Sequence, residues 1–310
     1  MHVFVTGGSG FLGQRLVRAL RSRGDAVTVL SRRAGRAATA LSPLGVTTVQ
    51  GDPTQPGSWQ AGVAACDAVV NLAGEPVGDG RWTPARKARI RDSRVRSTEN
   101  IVAAVQNSKQ TRVLVSGSGI GYYGAHPGHL SEPELDESSP GGDDFLARVT
   151  TAWEAAAQPA ATVTRLVLLR TGLALGRDGG ALPRLLTPFR WGVGGPAGHG
   201  RQWYSWIHAD DWTALVLHAL DHELAGPLNA TAPEPVPMRQ FADALGRALH
   251  RPAVLPLPAW ALRLAMGEMA SIVLTGQRVW PRAALAAGFT FRYPRLQEAL
   301  QELTRKGVGF

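Results

Sequence analysis

The chain has 310 residues, 44% hydrophobic and 18% charged, with 33 Lys+Arg against 24 Asp+Glu and a formal net charge of +9. At this length such an apolar content fills a substantial core and excludes global disorder, while leaving open one large domain or two unequal ones. Only three of the cations are lysine (Lys87, Lys109, Lys306), and the single cysteine, Cys66, excludes an internal disulfide and any multi-cysteine metal site, so no metal is expected.

The N-terminus, MHVFVTG, enters a strand over His2–Thr6 without a basic, apolar leader, and no apolar run is long enough to span a bilayer. A cytoplasmic protein with no membrane partner is the expectation. Next comes TGGSGFLG, with Gly7, Gly10 and Gly13 spaced between that strand and a helix over Phe11–Ser22. Glycines here permit a tight turn, close approach of a pyrophosphate and close helix–strand packing. Phe11 and Leu12 open the helix whose N-terminal amides would carry the phosphates.

The second strand, Ala26–Ser31, ends in Ser31-Arg32-Arg33, where a cofactor with a free ribose 2′-hydroxyl usually meets an acid. Arginine instead suits a 2′-phosphate, so Arg32, with Ser31 beside it, predicts NADP(H) rather than NAD(H); Arg33 and Arg36 are weaker helpers. After a third strand (46–51), Asp52 is either an adenine contact or a turn residue. The fourth strand (68–72) leads into Leu72, Ala73, Gly74 and Glu75, small residues and backbone along which a cofactor can pass.

Thr83-Pro84 predicts the start of a helix running to Gln106, carrying Arg86, Lys87, Arg89, Arg91, Arg94 and Arg96. With no zinc-finger spacing or aromatic–basic interleaving, this is read as a solvated helix face, and no nucleic-acid partner is expected. The fifth strand (112–116) leads into SGSGIGYYG at 116–124. A helix over Phe145–Ala157 and a strand over 164–170 complete an alternation of continuously apolar strands and helices, the signature of a doubly wound parallel α/β sheet of the Rossmann type. Residues 1–175, completed by about 203–232, are assigned to the dinucleotide-binding domain. Residues 176–202, rich in glycine, and 233–310, mostly helical, are assigned to a smaller substrate-binding lobe.

Taken together, TGGSGFLG, NLAG at 71–74, SGSGIGYYG and SWIHADD at 205–211 resemble the extended short-chain dehydrogenase/reductases. SSPGGDDFLA at 138–147, WEAAA at 153–157, RTGLALGRDGGAL at 170–182, GGPAGHGRQWYSWIH at 194–208, NATAPEPV at 229–236 and RPAVLPLPAWAL at 251–262 are similar to one atypical branch, the NAD(P)-dependent epimerase/dehydratase-like proteins sometimes labelled SulA-like cell-division inhibitors. The resemblance implies a Ser–Tyr–Lys site with its serine at Ser118. The Tyr-x-x-x-Lys positions, however, read Phe145 and Val149, and neither side chain can give a proton or tune one. Tyr122 and Tyr123 are the candidate replacements, at least one of them expected to face the cleft, with Glu75 and His208 behind them. The resemblance also places Arg94 towards the cofactor, with Arg89 a weaker candidate.

In related sugar-nucleotide enzymes an arginine stands where this chain has Tyr204. With Trp191, Trp203, Trp206 and Trp212 crowded nearby, a flatter or more apolar ligand is expected, and Gln202, Tyr204 and Trp206 are the candidate substrate contacts. The expected function is an NADP(H)-dependent oxidoreductase or epimerase acting on a small molecule; the alternative is a silent NADPH-binding sensor or scaffold. Either a monomer or a homodimer fits the sequence.

Overall fold

Strands that are apolar on both faces must be covered on both faces. Val3, Phe4, Val5, Val69, Val70, Leu114, Val115, Val167, Leu168 and Leu169 are all buried. The computed structural model describes residues 1–33, 42–126, 128 and 132–305. Its strands are β1 (His2–Thr6), β2 (Ala26–Ser31), β3 (Thr47–Gln50), β4 (Ala68–Asn71), β5 (Val113–Gly119), β6 (Arg165–Thr171), β7 (Leu173–Gly176), β8 (Gly179–Gly180), β9 (Trp203–Tyr204), β10 (Trp206–His208), β11 (Gly226–Ala230) and β12 (Val236–Pro237). Seven of them form one parallel sheet in the order β11-β6-β5-β4-β1-β2-β3. The strand order reverses between β1 and β4, and it is outside the carboxyl ends of the strands at such a switch point that open α/β sheets bind ligands.

Helix α1 (Phe11–Ser22) follows β1, and a short α2 (Gln60–Ala64) precedes β4. Helix α3 (Pro84–Gln106) starts where Thr83 Oγ1 accepts the Arg86 amide with proline at its first turn. Helix α4 (Phe145–Ala157) is capped by Asp144, which accepts the Ala147 amide at 3.0 Å. The rest are α5 (Leu182–Arg190), α6 (Ala209–Asp221), α7 (Met238–Leu249), α8 (Ala259–Met266), α9 (Ser271–Leu274), α10 (Arg282–Ala286) and α11 (Leu296–Thr304).

The pleat sorts the core. Val3 and Val5 pack with Leu16 of α1 and Trp212 and Leu215 of α6, whereas Phe4 and Val69 pack with Val63 of α2, Ile101 of α3 and Ala157 of α4. A second core gathers Leu186 of α5, Phe241 and Leu245 of α7, and Leu300 of α11 around Trp206. Strand β5 runs three residues past its expected end, because Gly117, Ser118 and Gly119 pair with Leu169, Arg170 and Thr171. That extension carries Ser118 to the carboxyl edge within a rigid ladder. Among the described residues no helix is long and apolar enough to cross a membrane.

Candidate functional site

The turn after β1 is built for close approach. Gly7 sits at φ +68°, the left-handed region that favours glycine, and its carbonyl accepts the Gly10 amide at 2.9 Å. A Cβ on Gly13 would lie 2.2 Å from that carbonyl oxygen. No side chain caps α1 and no acid lies in its first turn, so its leading amides are open to an anion. This cradle fits a pyrophosphate.

Around it, Arg32 is exposed immediately after β2, beside Ser31 Oγ, which accepts the Arg33 amide; Arg36 lies outside the described residues. Asp52 Oδ1 accepts both the Thr54 amide and its hydroxyl, the turn arrangement. Glu75 pairs its carboxylate with Arg86, and Arg94 lies beneath Gly74, donating to the Glu75 and Ile90 carbonyls while stacked on the Trp153 indole at 5.1 Å. Burial brings the Arg94 guanidinium down to about 10, still charged at neutral pH. Arg94 thus supports the 74–75 backbone from below, while Arg89 is exposed.

A chain of hydrogen bonds ties this edge to α4. Thr6 Oγ1 accepts the Leu72 and Ala73 amides and donates to Asn71 Oδ1. Asn71 Nδ2 donates to Thr98 Oγ1 at 3.0 Å, and the Trp153 indole donates to the same oxygen at 2.9 Å.

Beyond it lies a buried polar network that sequence reading does not reveal. Ser118 Oγ donates to Glu154 at 2.7 Å, and Arg170 clamps both Glu154 oxygens at 2.8 Å. Arg170 also donates to the Tyr123 hydroxyl, which in turn donates to Asn229 Oδ1 at 2.8 Å. The Asn229 amide donates to Glu137, whose carboxyl group is pushed up by burial. Tyr123 is itself pushed up to about 12 by burial, and the Tyr122 ring lies flat against Arg170 with 3.5 Å between guanidinium carbon and ring centre.

Next to this network is a cavity of about 280 Å³. Its walls are Ile120 and Gly121 after β5, Phe145 at the start of α4, Trp82, and Trp203 and Tyr204 of β9. Its polar groups are largely committed to the framework: Ser205 donates to the Gln277 carbonyl, Thr275 to that of Ser271 and Gln277 to that of Gly124. Glu268 stands on the lining and pairs with Lys87, whose Nζ is 4.9 Å from the Phe145 ring centre. A larger hollow of about 890 Å³ is lined by residues 247–251 and by Glu298, Gln301, Glu302, Thr304 and Arg305, none of them from the cofactor turn or the strand ends.

A model of the NAD dependent epimerase/dehydratase family matches residues 3–230, and a domain of unknown function matches 257–303. The chain belongs to the NAD dependent epimerase/dehydratase family. Among its relatives, the chloroplastic epimerase family protein SDR39U1 homolog of Arabidopsis thaliana is 40% identical over 98% of this chain and 86% of that one. The human epimerase family protein SDR39U1, solved with NADPH, superposes with a TM-score of 0.86 at 37% identity, covering 98% of this chain and 99% of that one. A nucleoside-diphosphate sugar epimerase from Corynebacterium glutamicum gives 0.77 at 32% identity, over 98% of this chain but 58% of that one.

The structure brings some of the expected site residues to this cavity and not others. Neither Tyr122 nor Tyr123 lines the cavity: the hydroxyl of one is spent on Arg170 and Asn229, and the ring of the other packs on the Arg170 guanidinium. Ser118 is buried and turned towards Glu154. Of the expected substrate contacts only Tyr204 faces the cavity, its hydroxyl raised by burial. Trp206 is fully buried in the second core with its indole on the Glu234 carbonyl, and Gln202, also fully buried, fastens Ala197 to Val273. Phe145 does line the cavity, while Val149 is packed against Trp82, Ile90 and Met269. His208 caps α6 and contacts Glu302, and burial pushes the Cys66 thiol up to about 12. Among the described residues no cluster of three or more His, Cys, Asp or Glu is arranged for a metal.

Proposed function

We propose that the chain is an NADP(H)-dependent oxidoreductase or epimerase acting on a small, flat or largely apolar molecule in the aromatic cavity, with Lys87 and Glu268 serving in place of the absent tyrosine and lysine. The cradle at Gly7, Gly10 and Gly13 would hold the pyrophosphate and Arg32 the 2′-phosphate, in keeping with the NADPH of the human relative. The cofactor, when bound, supplies or accepts a hydride. The observation that carries the rest is the position of Lys87. In a chain that otherwise uses arginine almost throughout, a lysine stands over the phenyl ring at the position where the wider family has its proton-donating phenol. An ammonium can release and regain a proton, which a guanidinium in a protein does not. Glu268, which lines the cavity, is the ion-pair partner of that ammonium.

The test is turnover. Protein with NADPH is offered a panel of carbonyl compounds, and with NADP⁺ a panel of alcohols and sugars, while cofactor absorbance and substrate isomerisation are both followed. Reproducible turnover supports the proposal. Tight NADPH binding without turnover across the panel would favour the silent sensor, a reading that draws support from the inward commitment of the Ser118 and Tyr123 hydroxyls.

Two outcomes concern the cofactor alone. Arg32→Asp should weaken NADPH binding by roughly 1.5–3 kcal/mol, the scale of a charged hydrogen bond, while leaving NADH almost unchanged. Titration of tryptophan fluorescence measures both, and an unaltered preference would remove Arg32 from the site. Gly13→Ala forces its methyl against the Gly7 carbonyl and should destabilise the turn by about 1–3 kcal/mol, with a matching loss of NADPH affinity. Denaturant midpoints with and without NADPH would show this as a lost ligand-induced shift.

A further inference from the structure

Exposed apolar side chains of the described residues concentrate on two paired segments. Leu255 donates its amide to Gly194 and Leu257 donates to Pro196, while Gly198 donates back to Leu257, so residues 254–258 lie alongside 193–198. On these paired segments and the helix that follows, Trp191 is 80% exposed, Val254 75%, Leu264 71% and Trp260 69%, with Val193, Leu255 and Leu257 also exposed. Seven of the eleven exposed large apolar residues among the described residues therefore fall on this face, and α8 buries none of its own. Singly scattered apolar residues need no explanation, but a contiguous patch marks an interaction surface.

The charge pattern says what kind of surface it meets. Residues 179–209 and 244–267 contain no aspartate or glutamate. Arg190 and Arg263 are exposed, next in the chain to Trp191 and Leu264, and make no ion pair among the described residues. A two-fold contact with a second copy would set these arginines against themselves with no acid in either segment to meet them. A phosphate-bearing surface has the complementary charge. Tryptophan favours the boundary between headgroup and acyl chain, and arginine lays its stem on apolar surface while its head reaches phosphate.

We propose that this face docks peripherally on a bilayer containing anionic phospholipid, with Trp191, Trp260 and Leu264 entering the acyl boundary and Arg190 and Arg263 meeting the phosphates. The sequence expectation of no membrane partner rests on the absence of a spanning segment, and a face assembled from two distant segments has no such signature.

The experiment is co-sedimentation of the full chain with vesicles of phosphatidylcholine alone or mixed with phosphatidylglycerol. Binding should rise with the anionic fraction and fall with salt. Trp191→Ser combined with Trp260→Ser should reduce it about tenfold or more, since both residues belong to the inserting face. Because both indoles are largely exposed, the denaturation midpoint should not move, which separates lost docking from misfolding. Failure to bind either vesicle, or binding unaffected by the double substitution, overturns the proposal. So does a dimer seen by light scattering that the same substitutions abolish, which would assign the face to a second copy.

Discussion

Arg170→Leu is expected to lower the unfolding free energy by about 3–5 kcal/mol, the cost of leaving a buried ionic partner without its counter-charge. Arg170 and Glu154 are 2% and 6% exposed, and the substitution leaves the Glu154 carboxylate with only the Ser118 hydroxyl. It also removes the donor to Tyr123 and the cation on which Tyr122 lies. Combining Arg170→Leu with Glu154→Leu removes both charges from the interior and should cost less than Arg170→Leu alone. Chemical denaturation at neutral pH, read as midpoint and slope for the single and double variants, measures the difference. A single substitution costing under about 1 kcal/mol would show that water or a neighbour satisfies Glu154 and that the pair is not what holds this region together.

Lys87→Met is expected to lower kcat/KM by roughly 10²–10⁴-fold on the best substrate of the panel, the usual contribution of a positioned acid or base. Its effect on stability should stay within about 1 kcal/mol, because the pair with Glu268 is half open to solvent. Lys87→Arg discriminates further. It keeps the charge and can keep the contact with Glu268, yet it should be nearly as inactive as Lys87→Met, because a guanidinium holds its proton. Full activity in Lys87→Arg would reduce the residue to a positive charge and return the search for a proton donor to Asp144 and Tyr204, which with Glu268 are the titratable groups on the lining.

The fold was legible because the strands that define it are apolar throughout and the turn after the first has glycines where a pyrophosphate needs them. Helices α1, α3 and α4 span the expected residues, and α3 starts at the Thr83-Pro84 that predicted it. The network around Glu154 was not legible, because its partners are brought together by sheet register: Arg170 is 16 residues from Glu154, and Tyr123 is 106 from Asn229. Neither spacing has a periodic signature. Lys87 is concealed differently, in a run of arginines that reads as a solvated face. Its rarity as a lysine is the one trace the composition holds. Gln202 and Trp206 read as ligand contacts because polar and aromatic residues crowd that loop, yet tertiary packing turns the amide to backbone carbonyls and the indole into the core.

The hydroxyl and amide chain from Thr6 through Asn71 and Thr98 to Trp153 has a kinetic consequence. It acts as a strut between the dinucleotide turn and the helix that begins at Phe145, holding both at a fixed spacing before any ligand arrives. A site braced in this way has little to gain from a closing motion. Binding of NADPH is then expected to be a single fast phase in stopped-flow fluorescence, with no slow closing step after it.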